Sequence, residues 1–118
     1  MHVSLSSEVA PEIREYERAS TTAINAYVAP VVGPYLRALR EQLERIGVRG
    51  SLLVMQSNGG TAVAETASQF PVRLLESGPA AGAIGAAYIA RALQRPKVLF
   101  FDMGGTTAKA FIVDDGAP

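Results

Sequence analysis

Two short runs of β-forming residues, Val98-Leu99-Phe100-Phe101 and Ala110-Phe111-Ile112-Val113, flank Asp102-Met103-Gly104-Gly105-Thr106-Thr107 near the end of the chain. No other stretch constrains the fold as much: a tight turn must join two strands, so Lys97 to Asp115 is a β-hairpin. The two glycines permit positive φ and leave no Cβ between the backbone N–H groups and an anion, and Thr106 and Thr107 add hydroxyl donors. Asp102, at the mouth of the first strand, offers the hard oxygen that a hydrated Mg²⁺ takes. These residues form a candidate phosphate loop, although the same turn can also close a hairpin that binds nothing.

Upstream, Leu52 to Met55 is a continuous apolar run, as in a strand covered on both faces, and Gln56-Ser57-Asn58-Gly59-Gly60 leaves it as a polar loop. Open α/β sheets place ligand contacts in such loops, which makes Gln56, Ser57 and Asn58 candidates for facing a ligand; any strand can also simply end this way. Thr61 to Gln69 has weak helical character, and Pro71 begins a predicted short strand, Val72 to Leu75. Ser77 or Gly78 then caps a helix with Pro79 as its first residue, running from Ala80 to Leu93 and ending before Pro96. Ala80, Ala81, Gly82, Ala83, Gly85, Ala86 and Ala87 fill its first half, where each interior glycine costs about 0.5–1 kcal/mol relative to alanine. Close approach accounts for that cost: either the bare backbone presses on a neighbour, or the N-terminus near Gly78 admits a ligand.

In the first half, Pro11-Glu12 suits a first helical turn, and Ser20-Thr21-Thr22 can cap a helix through Tyr27 that Pro30 and Pro34 bend or divide. Val32, Leu36, Leu39, Leu43 and Ile46 then form one amphipathic stripe, which Gly47 closes. The resulting order of helix, strand, short helix, strand, helix and strand-turn-strand indicates an α/β layered fold.

Composition narrows the function classes. In 118 residues, eleven basic and eleven acidic side chains balance and form no basic cluster, which argues against a nucleic-acid or anionic-membrane partner. Cysteine is absent and the single histidine, His2, reads as a solvated side chain, so thiolate zinc sites and Cys/His or Ser/His pairs lack material. The longest apolar stretch is too short to span a bilayer and no signal pattern opens the chain, so a cytoplasmic location is expected.

Three segments, LVMQSNGG (Leu53 to Gly60), VRLLESGPAAGAIGAA (Val72 to Ala87) and FDMGGTTAK (Phe101 to Lys109), closely resemble the hydantoinase A/5-oxoprolinase family. That family includes ATP-dependent N-methylhydantoinase and 5-oxoprolinase subunits and is related to acetone carboxylase subunits. EVAPEIREYERASTTAINAYVAP, from Glu8 to Pro30, is similar to the family as well. The spacing also resembles the actin-like ATPase superfamily of sugar kinases and heat-shock chaperones, with Glu76 to Ala90 as the connecting helix and Asp102 to Thr107 as the second phosphate loop. The resemblance implies a fragment of an actin-like ATPase (ribonuclease H-like) fold, a mixed sheet with flanking helices, in which residues 1–96 end a first lobe and residues 97–118 begin a second.

By the same resemblance, Asp102 would orient Mg²⁺ through water, Gly104 and Gly105 would present N–H groups to the phosphates of ATP, and Thr106 and Thr107 would supply hydroxyls. Lys109 stands where the superfamily commonly has an acid, so it either contacts phosphate or faces solvent, and no catalytic role is assigned to it. Family members are much longer, and their first phosphate loop and adenine-binding segment have no counterpart here. The chain therefore reads as a central piece of a larger hydrolase in which ATP activates the amide oxygen of a hydantoin or 5-oxoproline ring for opening by water. The remaining lobes and a hydantoinase B-type subunit are the implied partners, and the piece alone should be inactive. A non-catalytic assembly module and a sugar-kinase or chaperone-type ATPase are the rival readings.

Overall fold

The computed structural model describes residues 3–117; His2, and with it the expectation of a solvated side chain, lies outside the described residues. Contacts divide the chain into two compact units: the described part of Met1–Val54 with Thr61–Leu75, and Met55–Gly60 with the described part of Glu76–Pro118. The lobe boundary expected between residues 96 and 97 falls inside the second of these.

The first unit is built on α2, a helix of 31 residues from Glu15 to Arg45, preceded by the single turn α1 (Ser6–Val9). Pro30 and Pro34 were expected to bend or divide this helix, yet it runs through both. The buried positions Asn25, Ala29, Gly33 and Leu36 mark its inner face, whereas both prolines are exposed. The two carbonyls deprived of an N–H partner, on Ala26 and Pro30, belong to exposed residues that water can reach, which makes the missing bonds tolerable. The start also differs from expectation. Pro11 and Glu12 are not helical, because the Arg18 guanidinium donates to the Glu12 carbonyl at 3.3 Å and to Ser6 Oγ at 3.0 Å and so holds this segment outside the helix. Ser20 and Thr22 lie inside α2 instead of capping it; their hydroxyls donate back to the carbonyls of Glu17 and Arg18. The C-terminus closes as expected, with Gly47 at φ 87° and hydrogen bonds from Gly47 N–H to Glu44 and Val48 N–H to Leu43.

Behind α2 come β1 (Leu53–Met55), β2 (Thr61–Val63), α3 (Ala64–Gln69) and a 3-10 turn at Pro71–Leu74. Leu36, Ala64 and Ala67 form the core, with Val32, Leu52, Val54 and Leu74 packed around them. The strand expected at Val72 to Leu75 is this 3-10 turn. Its backbone is claimed by a buried side chain: Asn25 Oδ1 accepts the Val72 N–H at 3.2 Å, while Asn25 Nδ2 donates to Ser4 Oγ at 3.0 Å and to the Gln69 carbonyl at 3.1 Å. Without that strand, no single mixed sheet forms among the described residues, which hold two two-stranded sheets, β1-β2 and β3-β4.

In the second unit α4 (Ser77–Ala92) packs on the hairpin of β3 (Lys97–Met103) and β4 (Ala108–Asp114), antiparallel in the register Lys97↔Asp114 to Met103↔Ala108. Alternation gives the hairpin an inner face of Val98 opposite Val113 and Phe100 opposite Phe111, the two rings stacked at 6.1 Å. Ala86, Ala87, Ala90 and Val113 make the core with Val98 and Phe100. The small residues of α4 serve close approach. A Cβ on Gly82 would lie 2.7 Å from the Phe100 ring, whereas one on Gly85 would meet nothing within 4 Å. Beyond α4, Gln94 takes the left-handed conformation at φ 51°, and the Arg91 guanidinium donates to the Gly116 carbonyl at 2.6 Å and 3.1 Å, fastening the end of β4 to the helix.

These contacts set two expectations for unfolding in urea. Asn25→Ala removes the buried amide that joins the Gln69 carbonyl to the Val72 N–H, both part-buried contacts, and should cost about 1–3 kcal/mol. Gly82→Ala, which drives a methyl into Phe100, should cost about 1–3 kcal/mol, whereas Gly85→Ala should gain about 0.5–1 kcal/mol; equal effects would refute the close-approach explanation.

Candidate functional site

Packing of α4 on the hairpin decides what stands at the turn end. Gly82 meets Phe100, while Ala86, Ala87 and Ala90 lie with Val98 and Val113, so α4 runs opposite to β3 and its N-terminus points toward the loop. The next inner-face pair after Phe100 and Phe111 is Asp102 opposite Lys109. Two apolar pairs thus give way to a charged pair where the apolar helix face ends. Lys109 Nζ lies 3.4 Å from Glu76 Oε2, at the N-cap of α4. The cap is Glu76, not Ser77 or Gly78, and Pro79 is the third helical residue, still within the first turn where its missing N–H costs nothing.

The loop after β1 reaches the same corner. Ser57 Oγ accepts the Glu76 N–H at 3.2 Å, and Asn58 Oδ1 accepts the Gly60 N–H at 2.9 Å. Gly59, at φ 84°, directs its missing Cβ onto Ile84 of α4. The oxygens of Ser57 and Asn58 therefore shape the loop and seat it on the helix, while Gln56 is half-buried. Gly78 is exposed, and a Cβ there would meet nothing within 4 Å, so the first turn of α4 has a bare flank.

All six residues from Asp102 to Thr107 are exposed. Gly104 N–H donates to the Thr107 carbonyl at 2.9 Å, which closes a turn of Gly104-Gly105-Thr106-Thr107. The expectation that these glycines supply positive φ is corrected, since neither is in the left-handed region. Nor does packing demand them. An added Cβ would meet nothing within 4 Å at Gly105, and only the Thr107 carbonyl at 3.9 Å at Gly104. Among the described residues the Gly105 and Thr106 N–H groups, the two Thr hydroxyls and the Asp102 carboxylate make no hydrogen bond to the protein. A single free carboxylate beside open amides matches the way Mg²⁺ is held, by one or two acids together with phosphate oxygens and water. The contact between Lys109 and Glu76 was missed in the sequence, where 33 positions separate them; only the pairing of Lys109 with Asp102 was implicit in the hairpin.

Comparison with known proteins decides the family. The hydantoinase/oxoprolinase family model matches residues 18–118. The chain belongs to the hydantoinase/oxoprolinase family. It is 48% identical to an uncharacterized protein of Methanocaldococcus jannaschii over 98% of this chain and 17% of that protein. Identity to the caprolactamase subunit alpha of Pseudomonas jessenii is 38%, over 85% of this chain and 14% of the subunit. For 5-oxoprolinase 1 of Arabidopsis thaliana it is 37%, over 90% of this chain and 8% of the enzyme. The chain therefore spans about a sixth or less of the length of these relatives. Among solved structures, nucleotide-free acetone carboxylase, described with ATP-dependent acetone carboxylation, matches with a TM-score of 0.84 at 28% identity, over 94% of this chain and 15% of that one. No helix among the described residues is long and apolar enough to cross a membrane.

The Lys109 and Glu76 side chains are 37% and 72% exposed, so water screens the pair and its worth is about 0–1 kcal/mol. Replacing Lys109 by Met should shift the urea midpoint by no more than that; a larger loss would make the pair a structural brace.

Proposed function

We propose that this chain carries the phosphate-binding hairpin of an ATP-dependent enzyme that opens a cyclic amide, a hydantoin or 5-oxoproline ring. The observation that carries the reading is the Gly104-Gly105 pair. Neither a left-handed backbone nor a neighbour within the chain requires glycine there, so the bare backbone is accounted for by something that approaches from outside. A polyphosphate fits, because Gly105 and Thr106 N–H groups and the hydroxyls of Thr106 and Thr107 are donors with no protein partner.

In this reading the loop amides grip phosphate oxygens, Asp102 orients Mg²⁺ through water, and the bare flank at Gly78 lets α4 present the positive end of its dipole. ATP, when bound, supplies a phosphoryl group that activates the amide oxygen toward water. Positioned donors and fixed charge are what phosphoryl transfer asks of a protein, and this corner offers both. The actin-like arrangement, with the hairpin opening a second lobe, belongs to the same proposal. So do a hydantoinase B-type partner subunit and a cytoplasmic setting where ATP is available. The likeness to acetone carboxylase favours a second reading, ATP-dependent carboxylation of a ketone, which uses the same hairpin on a different substrate.

Two substitutions test the site. Gly105→Ala should leave stability unchanged or raise it by up to about 1 kcal/mol while weakening nucleotide binding at least about tenfold. In the whole enzyme that contains this segment, Asp102→Ala should keep the fold and lower Mg²⁺-dependent ATP turnover about 100-fold or more. Wild-type turnover in both variants would remove this loop from the site. ATP hydrolysis stimulated by 5-oxoproline or hydantoin supports the amidase, and stimulation only by a ketone with bicarbonate supports the carboxylase.

A further inference from the structure

Asp102, Lys109 and Glu76 put two negative charges and one positive charge at the corner where the hairpin meets the N-terminus of α4. Without a ligand this corner is net negative, although its neighbours are arranged for an anion. Lys109 can correct the sign. Its backbone sits opposite Asp102, one residue pair from the turn, and its side chain shares the inner face with the Asp102 carboxylate. Glu76, the residue that holds its ammonium, is itself fixed by the hydrogen bond from its N–H to Ser57 Oγ.

We propose that Lys109 is a ligand-binding residue whose ammonium passes from Glu76 to the polyphosphate when the hairpin loop is filled, so that Glu76 acts as a competing anion for the cation that the ligand needs. The inference rests on the reading of the loop as a phosphate site and adds to it a residue and a direction of control. Three observations support the exchange. The pair is long, at 3.4 Å, and largely hydrated, so it breaks at small cost. Lys109 has four flexible methylene groups and donors in every direction, which suits a moving point charge better than a fixed fork. Loss of the pair leaves Glu76 half-solvated and not stranded in an apolar core, since its side chain is 72% exposed. Ser57 and Asn58 enter through this arrangement: they hold the loop and the cap in place and need not touch the ligand.

A merely structural ion pair and a competing one respond differently to removal of each partner. If the pair only braced the corner, Lys109→Met and Glu76→Gln would weaken anion binding alike. Competition requires opposite signs. Calorimetric titration of the protein with pyrophosphate at low ionic strength, with and without Mg²⁺, is the test. Lys109→Met should weaken binding about tenfold, and Glu76→Gln should strengthen it about two- to fivefold. Effects of the same sign, or none, overturn the exchange. Gly105→Ala, titrated alongside, separates the two levels of the argument. If it lowers pyrophosphate affinity while the two charge variants move together, the exchange falls and the phosphate loop stands. If the wild-type protein takes up neither pyrophosphate nor ATP, or Gly105→Ala binds as the wild type does, the loop reading falls and the exchange with it.

Discussion

The contact of the bare face of α4 with the inner face of the hairpin places every other feature of the second unit. Gly82 lets the helix backbone come within reach of the Phe100 ring, and the alanines from Ala86 to Ala90 continue that contact toward Val98 and Val113. Because side chains alternate along a strand, the same packing fixes which hairpin residues come next on that face. They are Asp102 and Lys109, which project where the apolar helix surface has ended and its capping residue Glu76 begins. A tight apolar interface thus delivers a carboxylate and an ammonium to a helix N-terminus, where the ammonium meets Glu76. In the proposed function, the helix dipole and the open amides of the turn are the groups that meet the anion.

The two kinds of glycine in this unit illustrate how function separates from packing. Gly82 is explained by its neighbour, and Gly59 by Ile84 and a left-handed backbone. Gly104 and Gly105 have neither explanation, which is what makes them informative. A hairpin turn outside the left-handed region, with room for a Cβ at both positions, has no need of two glycines, and their conformational entropy is a cost to the unliganded fold. Such a cost is compensated when a ligand comes close to the backbone. The relatives of this chain include a caprolactamase subunit and 5-oxoprolinase, and acetone carboxylase shares the fold of this segment.

Much of this was legible in the sequence where the determinants are local. The hairpin was readable because period-two strands and a short turn are written in consecutive residues, and the end of α2 because Gly47 closes a regular stripe. The misreadings have long-range causes. Continuity of α2 through Pro30 and Pro34 depends on which side faces the core, and only tertiary packing decides that. Val72 to Leu75 has the residues of a strand, but Asn25, 47 positions away, takes the Val72 N–H. Pro11 has the look of a helix start, yet Arg18 holds that segment apart. Lys109 was ambiguous for the same reason, as its partner is distant in the chain and adjacent only once α4 has docked.

The central claim is that the turn amides and the first turn of α4 together receive a polyphosphate. Amide NMR of the protein during addition of Mg²⁺ and ATP examines it most directly. Resonances of Gly105, Thr106, Ser77 and Gly78 should move or broaden first and furthest, while Gly116, beside Arg91 at the opposite end of the hairpin, stays in place. Unchanged Gly105 and Thr106 amides at saturating Mg²⁺ and ATP, or changes confined to other parts of the chain, would contradict it.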